Sequence, residues 1–180
     1  NPIVLVRAED IGLKGTELPG AVDSSAAAAK LEAIRGAACV KMGFAKDLKD
    51  ATDNSPAVPK VGFVTPPQTF TDISGKTVDA SEMDVCARVI SVFKCHKACP
   101  LTSASSIAVA GMVPGTIVNE VVRMEDGQQT VRIGHPSGVM TMYPYMDDPA
   151  KEDINAIQVS GVAVQRTARR IMDGTVYIRN

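Results

Sequence analysis

The run from Leu101 to Val118 constrains the fold more than any other part of the chain. It is dominated by Ser, Ala, Gly and Val, holds no aromatic residue, and is interrupted by Val113-Pro114-Gly115. A helix with small residues on every side has no bulky stripe to lay on a surface. It suits being threaded through a tight core where larger side chains would not fit. The expectation is a helix ending near the Pro-Gly pair and wrapped by the rest of the chain. The 180 residues suit one domain or one lobe of a larger protein, and 45% hydrophobic residues supply a real core.

The flanking sequence supplies the wrapping. Ile3 to Ala8 reads as a β-branched strand, followed by a turn-rich loop from Glu9 to Gly15. Asp23 is placed to cap an alanine-rich helix running to about Leu48, with Leu31, Ile34, Ala38 and Met42 on one face. Ser55-Pro56-Ala57-Val58-Pro59 is a stiff loop feeding a strand from Lys60 to Thr65, which Pro66-Pro67 ends. Asp79 and Glu82 form a capping box, from which a helix through Val85, Val89 and Phe93 is predicted. Thr130–Ile133 and Val139–Tyr143 read as strands around the tight loop Gly134-His135-Pro136-Ser137-Gly138, with further strands over Ile157–Gln165 and Thr175–Arg179 and a short segment over Thr167–Met172. The class is α+β, with antiparallel strands around a buried small-residue helix.

Charge and composition exclude several functions. Nineteen basic against 20 acidic residues give a net charge of −1, which suggests neither a nucleic-acid groove nor an anionic membrane partner. Aromatic residues make up 4% with no Trp, so no platform for stacking bases is implied. No apolar run reaches the roughly 18 residues of a membrane span. The sequence enters a strand-like run at Asn1-Pro2-Ile3 without an initiator Met, as expected of a segment cut from a longer chain. Cys39, Cys86, Cys95 and Cys99 could pair, but without a leader they are expected as reduced thiols in a cytoplasmic setting. Cys95, His96 and Cys99 do not have zinc-like spacing with a second ligand pair, so no metal is expected. Nucleotide-binding glycine motifs and Gly-x-Ser-x-Gly are missing, and no cofactor is implied.

The residues that could do chemistry cluster before the small-residue helix. Cys99-Pro100-Leu101-Thr102-Ser103 marks a helix start, where unpaired backbone N–H groups and the positive dipole end favour an anion. Thr102 and Ser103 can cap that end or donate to a carboxylate; a plain cap without ligand is the alternative. A thiol at Cys99 could have its pKa drawn toward neutrality there, suiting proton transfer, or could simply line a pocket. In the Gly-His-Pro-Ser-Gly loop, His135 is either structural or part of an anion nest with Ser137 and Gly138. Arg166, Arg169 and Arg170 read as a solvated face or inter-lobe contact before a carboxylate clamp.

Five segments in order resemble the methylaconitate isomerase (PrpF) family and, more distantly, the diaminopimelate epimerase fold. They are Asn1-Pro2-Ile3-Val4 with Ala8-Glu9-Asp10-Ile11-Gly12, Ser55 to Lys60, Val113-Pro114-Gly115-Thr116, Gly134 to Gly138, and Arg166 to Gly174. The resemblance covers residues 1–180 as the C-terminal half of such a protein. It implies a diaminopimelate epimerase-like lobe, a curved antiparallel sheet wrapped around a central buried helix. A small di- or tricarboxylate would sit in a cleft shared with a preceding lobe that carries a lysine and a cysteine. The implied chemistry is cofactor-independent proton transfer, a cis-trans or allylic isomerisation of an aconitate-type acid. By family position Asn1 and Lys60 would join Thr102, Ser103, His135, Ser137 and Gly138 around the carboxylates, with Cys99 as optional acid or base. Counting back from Val113-Pro114-Gly115-Thr116 places the epimerase cysteine on Pro100, which argues against a two-thiol epimerase of an amino diacid. A carboxylate-binding or interaction domain without chemistry, pairing its cleft face with another chain or a copy of itself, is the remaining alternative.

Overall fold

The computed structural model describes residues 2–147, 154–165 and 170–178. Strand β1 (Ile3–Arg7) is followed by helices α1 (Pro19–Asp23), α2 (Ala27–Lys41) and α3 (Leu48–Asn54), and then by β2 (Lys60–Thr65). The helix expected from Asp23 to about Leu48 is therefore the shorter α2 alone, with α1 ending at Asp23 and α3 beginning at Leu48. Gly43, at φ 77°, closes α2: Phe44 N–H reaches back to the Cys39 carbonyl at 3.0 Å, a left-handed stop that L side chains resist. Asp47 then caps α3 by accepting from Asp50 N–H at 2.8 Å. Asp23 caps nothing downstream. It ends α1 and accepts instead from Cys95 N–H at 2.8 Å.

The small strands β3 (Phe70–Thr71) and β4 (Thr77–Val78) pair with each other, and β5 (Val85–Ser91) leads through a two-residue turn to β6 (Lys94–Cys95). Here the sequence expectation was wrong in type. The capping box at Asp79 and Glu82 forms, but it closes only the 3-10 turn Ala80–Glu82, and Val85 to Ser91 is a strand. Both faces of β5 are covered. Such a strand reads as an unbroken apolar run that a buried helix also produces, and the β-branched residues decide it.

Helices α4 (Leu101–Met112) and α5 (Ile117–Val121) come next, then β7 (Val131–His135), β8 (Gly138–Met146) and β9 (Val159–Val164). The break at Val113-Pro114-Gly115 falls between the two helices as expected. The main sheet runs β1-β2-β5-β7-β8-β9, with β6 paired to β5. It is mixed: β1 lies parallel to β2 and β5 parallel to β7, the other pairs being antiparallel. That corrects the wholly antiparallel expectation. Long helical connections, α1–α3 in one case and α4–α5 in the other, return the chain in the same direction. Thr175–Arg179, expected as a strand, forms none over residues 175–178, where no strand pairs with it among the described residues. Residues 166–169 and 179 lie outside the described residues.

Alternation along the strands divides the core between two faces. Val64, Val85, Ala87, Val89, Val131 and Ile133 pack with Ala104, Ile107 and Ala108 of α4. Val61, Phe63 and Ile90 face the other way, against Val22, Ala27 and Leu31 of α1 and α2. Helix α4 is thus embraced on one side, through Ser103, Ala104, Ile107, Ala108 and Gly111. Its outer side is half-exposed and borders an open groove of about 430 Å³ between Ser106, Val109, Val113, Val159 and Val162. Small residues serve both sides, letting the sheet approach closely within and leaving a shallow apolar trough without.

Candidate functional site

The site is assembled where β6 hands the chain to α4 and where β7 turns into β8. Pro100 occupies the N-cap of α4, and no side chain caps that end. The expected capping by Thr102 or Ser103 is therefore not made. Thr102 is exposed, its carbonyl accepting from Ser106 Oγ at 3.2 Å. Ser103 is fully buried and its Oγ has no hydrogen-bond partner. A buried hydroxyl left unpaired costs about 1–3 kcal/mol and marks a place where a polar group is lacking. The N-terminus of α4 therefore retains its unpaired donors and positive dipole end.

Cys99 precedes this end and is buried, and it lines an open groove of about 530 Å³ together with His96, Pro100, Leu101, Met140 and Gln165. Burial pushes its thiol up to about 12, with the charges of Arg88 and Lys60 pulling only weakly the other way. The expectation of a thiol drawn toward neutrality is thus corrected. The helix end does not offset the loss of solvent around sulfur. Lys60 is half-buried at the start of β2. All four cysteines are free and buried.

His135 closes β7 and is buried. Ser137 N–H donates to its Nδ1 at 3.2 Å, and burial, with the nearby Arg88 and His96, pushes the imidazole down to about 4. Ser137 Oγ donates to the Lys97 carbonyl, so this turn is tied to the segment just before Cys99. Both Ser137 donors are therefore committed within the protein, which reduces the nest expected of this loop. Gly138 is left-handed at φ 122° and pairs with His135 across the turn. Beside it, Gly134 is required by contact: a Cβ there would lie 2.4 Å from Met83 Sδ.

The Ser137–Lys97 hydrogen bond thus brings the His135–Ser137 turn to the segment that leads through Cys99 into α4, while Lys60 stands apart at the start of β2. Asn1, Arg166 and Arg169 lie outside the described residues, and Arg170 is exposed and paired with Asp173. Sequence reasoning weighed His96 only as a metal ligand and passed over Arg88. His96 holds Ala98 N–H on its Nδ1 at 3.1 Å, repeating the His135 arrangement, and the shared His-x-small pattern was a usable signal. Arg88 was hidden in the stretch read as helix. It is fully buried on β5, donating through Nε to the Glu17 carbonyl at 2.8 Å and through Nη1 to the Ala87 and Gly134 carbonyls at 2.9 and 3.4 Å. Among the described residues no cluster of three or more His, Cys, Asp or Glu side chains is placed to hold a metal ion, and no helix is long and apolar enough to cross a membrane.

Comparison with known proteins gives this geometry a context. The chain is 39% identical over 180 residues to the 3-methylitaconate isomerase of Eubacterium barkeri, covering 99% of the chain and 45% of that protein. It is 35% identical to the 2-methyl-aconitate isomerase of Shewanella oneidensis, over 98% of the chain and 43% of the relative. A solved structure titled as methylitaconate-delta-isomerase superposes with a TM-score of 0.80 at 35% identity, covering 92% of this chain and 43% of that one. The chain therefore spans less than half the length of the curated relatives it matches. A sequence model described as "PrpF protein" matches residues 1–179, and the chain belongs to the PrpF family.

Proposed function

We propose that this chain is one lobe of an isomerase that moves a proton on an unsaturated di- or tricarboxylate of the aconitate or itaconate kind. The observation that carries the reading is the mouth of α4, an uncapped helix end with the sealed, unpartnered Ser103 hydroxyl in its first turn, just after Cys99. Removing a proton next to a carboxylate spreads negative charge onto its oxygens. Fixed backbone donors and a dipole end stabilise that charge without a metal or an organic cofactor. The names of three relatives, isomerases of 3-methylitaconate, 2-methyl-aconitate and (4E)-oxalomesaconate, support the same class.

In this reading Lys60 and the α4 mouth hold carboxylates, and His135, Ser137 and Gly138 shape the wall of the cleft. The acid and base come chiefly from a preceding lobe, because a Cys99 thiol raised to about 12 is a poor base near neutrality. That same value favours a second reading, in which the chain binds carboxylates and does no chemistry. Exchange of solvent deuterium into trans-aconitate, followed by NMR, separates the cases. The 180-residue chain should exchange no proton by itself and should do so once joined to the first lobe of a relative. Full exchange by the chain alone refutes the shared cleft, and no exchange by the joined protein favours binding only.

A further inference from the structure

The open groove lined by Cys99 carries a second polar group that the α4 mouth does not account for. Its walls come from three places in the fold: His96, Cys99 and Leu101 on the way from β6 into α4, Met140 of β8, and Val164 with Gln165 at the end of β9. At about 530 Å³ it falls within the roughly 300–1,000 Å³ of small-molecule sites. Among the described residues no acid lines it, so its wall has no negative side chain to repel an anion. The polar group is His96.

Its surroundings fix this residue. The His96 N–H donates to the Val89 carbonyl of β5 at 2.8 Å, and its Nδ1 accepts from Ala98 N–H at 3.1 Å. A filled Nδ1 leaves the hydrogen of the neutral ring on Nε2, which meets no acceptor among the described residues. His135 makes the same bond with Ser137 N–H, but that ring is buried and does not line the groove, whereas His96 is exposed within it. We propose that His96 is a substrate-binding residue, its Nε2–H taking one carboxylate of an acid whose other carboxylate rests on the first turn of α4, with the hydrocarbon between them along Met140 and Val164. This assignment rests on the reading of the α4 mouth given above and adds a second anchor to it.

Two donors on one rigid segment explain a preference for acids with more than one carboxylate. The N–H groups of Leu101, Thr102 and Ser103 precede the first bond of α4, which runs from Ala104 N–H to the Pro100 carbonyl at 2.8 Å. His96 leads into that turn, and both line the same groove. A monoacid satisfies one donor set; a diacid satisfies both, through hydrogen bonds that its charge strengthens. Met140 and Val164 are half-buried and packed on the core around α4, an apolar strip suited to an unsaturated carbon chain. The segment is tied to β5 through Val89 and to the β7–β8 turn through Ser137, so little ordering is left for the ligand to impose.

The test is binding of trans-aconitate, followed by imidazole NMR, to the 180-residue chain and to the same chain joined to the first lobe of a relative. The chain has only two histidines, and the variants themselves assign them. His96→Asn keeps an acceptor near the Nδ1 position for Ala98 N–H and loses the outer donor. His96→Gln can carry an amide N–H to the Nε2 position and loses the inner acceptor. Trans-aconitate should shift the His96 Nε2 signal saturably. His96→Asn should weaken binding about tenfold or more, the worth of a hydrogen bond to a charged group, and His96→Gln should weaken it less. A histidine that only holds Ala98 N–H gives the reverse order, with Asn like wild type and Gln impaired, and that result overturns the proposal. Equal losses in the two variants overturn it too, as does saturable binding that leaves the His96 ring unmoved; in that last case the α4 reading stands. If trans-aconitate binds neither protein, the proposed function falls and this assignment falls with it.

Discussion

At the scale of single residues, burial dominates the electrostatics of this end of the sheet. Cys99 and Cys95 both have thiols raised to about 12, chiefly by loss of solvent. In the unfolded chain these thiols would ionise near 9. Their contribution to stability is present in full below that value and is lost as pH rises toward 12, because the unfolded state alone releases protons there. Each thiol should thus weaken the fold by about 1.4 kcal/mol per pH unit across that interval. Urea titrations at stepped alkaline pH should show the slope, and Cys99→Ala should reduce it relative to wild type. An unchanged slope would mean that sulfur at 99 is better solvated than its burial implies. The sequence revealed Cys99 as a residue at a helix start. It could not reveal the sign of the pKa displacement, which depends on Val64, Ile107 and the other distant residues of the surrounding core.

At the scale of elements, legibility depended on whether the signal was local. The α4 helix, its break at Val113-Pro114-Gly115 and the β7–β8 hairpin follow from neighbouring residues and were legible. The identity of β5 was not, because its two apolar faces are explained by α2 and α4, which lie far away in sequence. The β5–β6 turn is a second instance. Val92 and Phe93 both take positive φ, 50° and 64°, in a two-residue connection that ordinarily selects Asn-Gly. A β-branched residue in that region is strained, and both side chains are about half exposed. Replacing the pair, Val92→Asn with Phe93→Gly, should therefore stabilise the chain by about 1–2 kcal/mol, read as a higher thermal midpoint. A lower midpoint would show that what Phe93 contributes to the small cavity it lines with Val22 and Ile90 outweighs the strain of the turn.

At the scale of the whole molecule, the question is what covers the apolar surface left open by these elements. The outer side of α4 and β9 borders the shallow trough of Val109, Val113, Val159 and Val162, and Ile171, Met172, Val176, Tyr177 and Ile178 stand largely in solvent. Exposed apolar surface on this scale marks an interaction face more often than a free one. Nothing in the local sequence distinguishes it, since Val159, Val162 and Val164 read like the β-branched residues of any short strand. If the proposed cleft is shared with a preceding lobe, the 180-residue chain by itself should associate through this surface. Sedimentation velocity should then show an average mass rising with concentration. Val159→Lys together with Val176→Lys should shift the chain toward monomer while leaving its thermal midpoint within about 1 kcal/mol of wild type, because both positions are exposed. A chain that stays monomeric at every concentration, with the trough accessible, would remove the argument that this face is made to be covered.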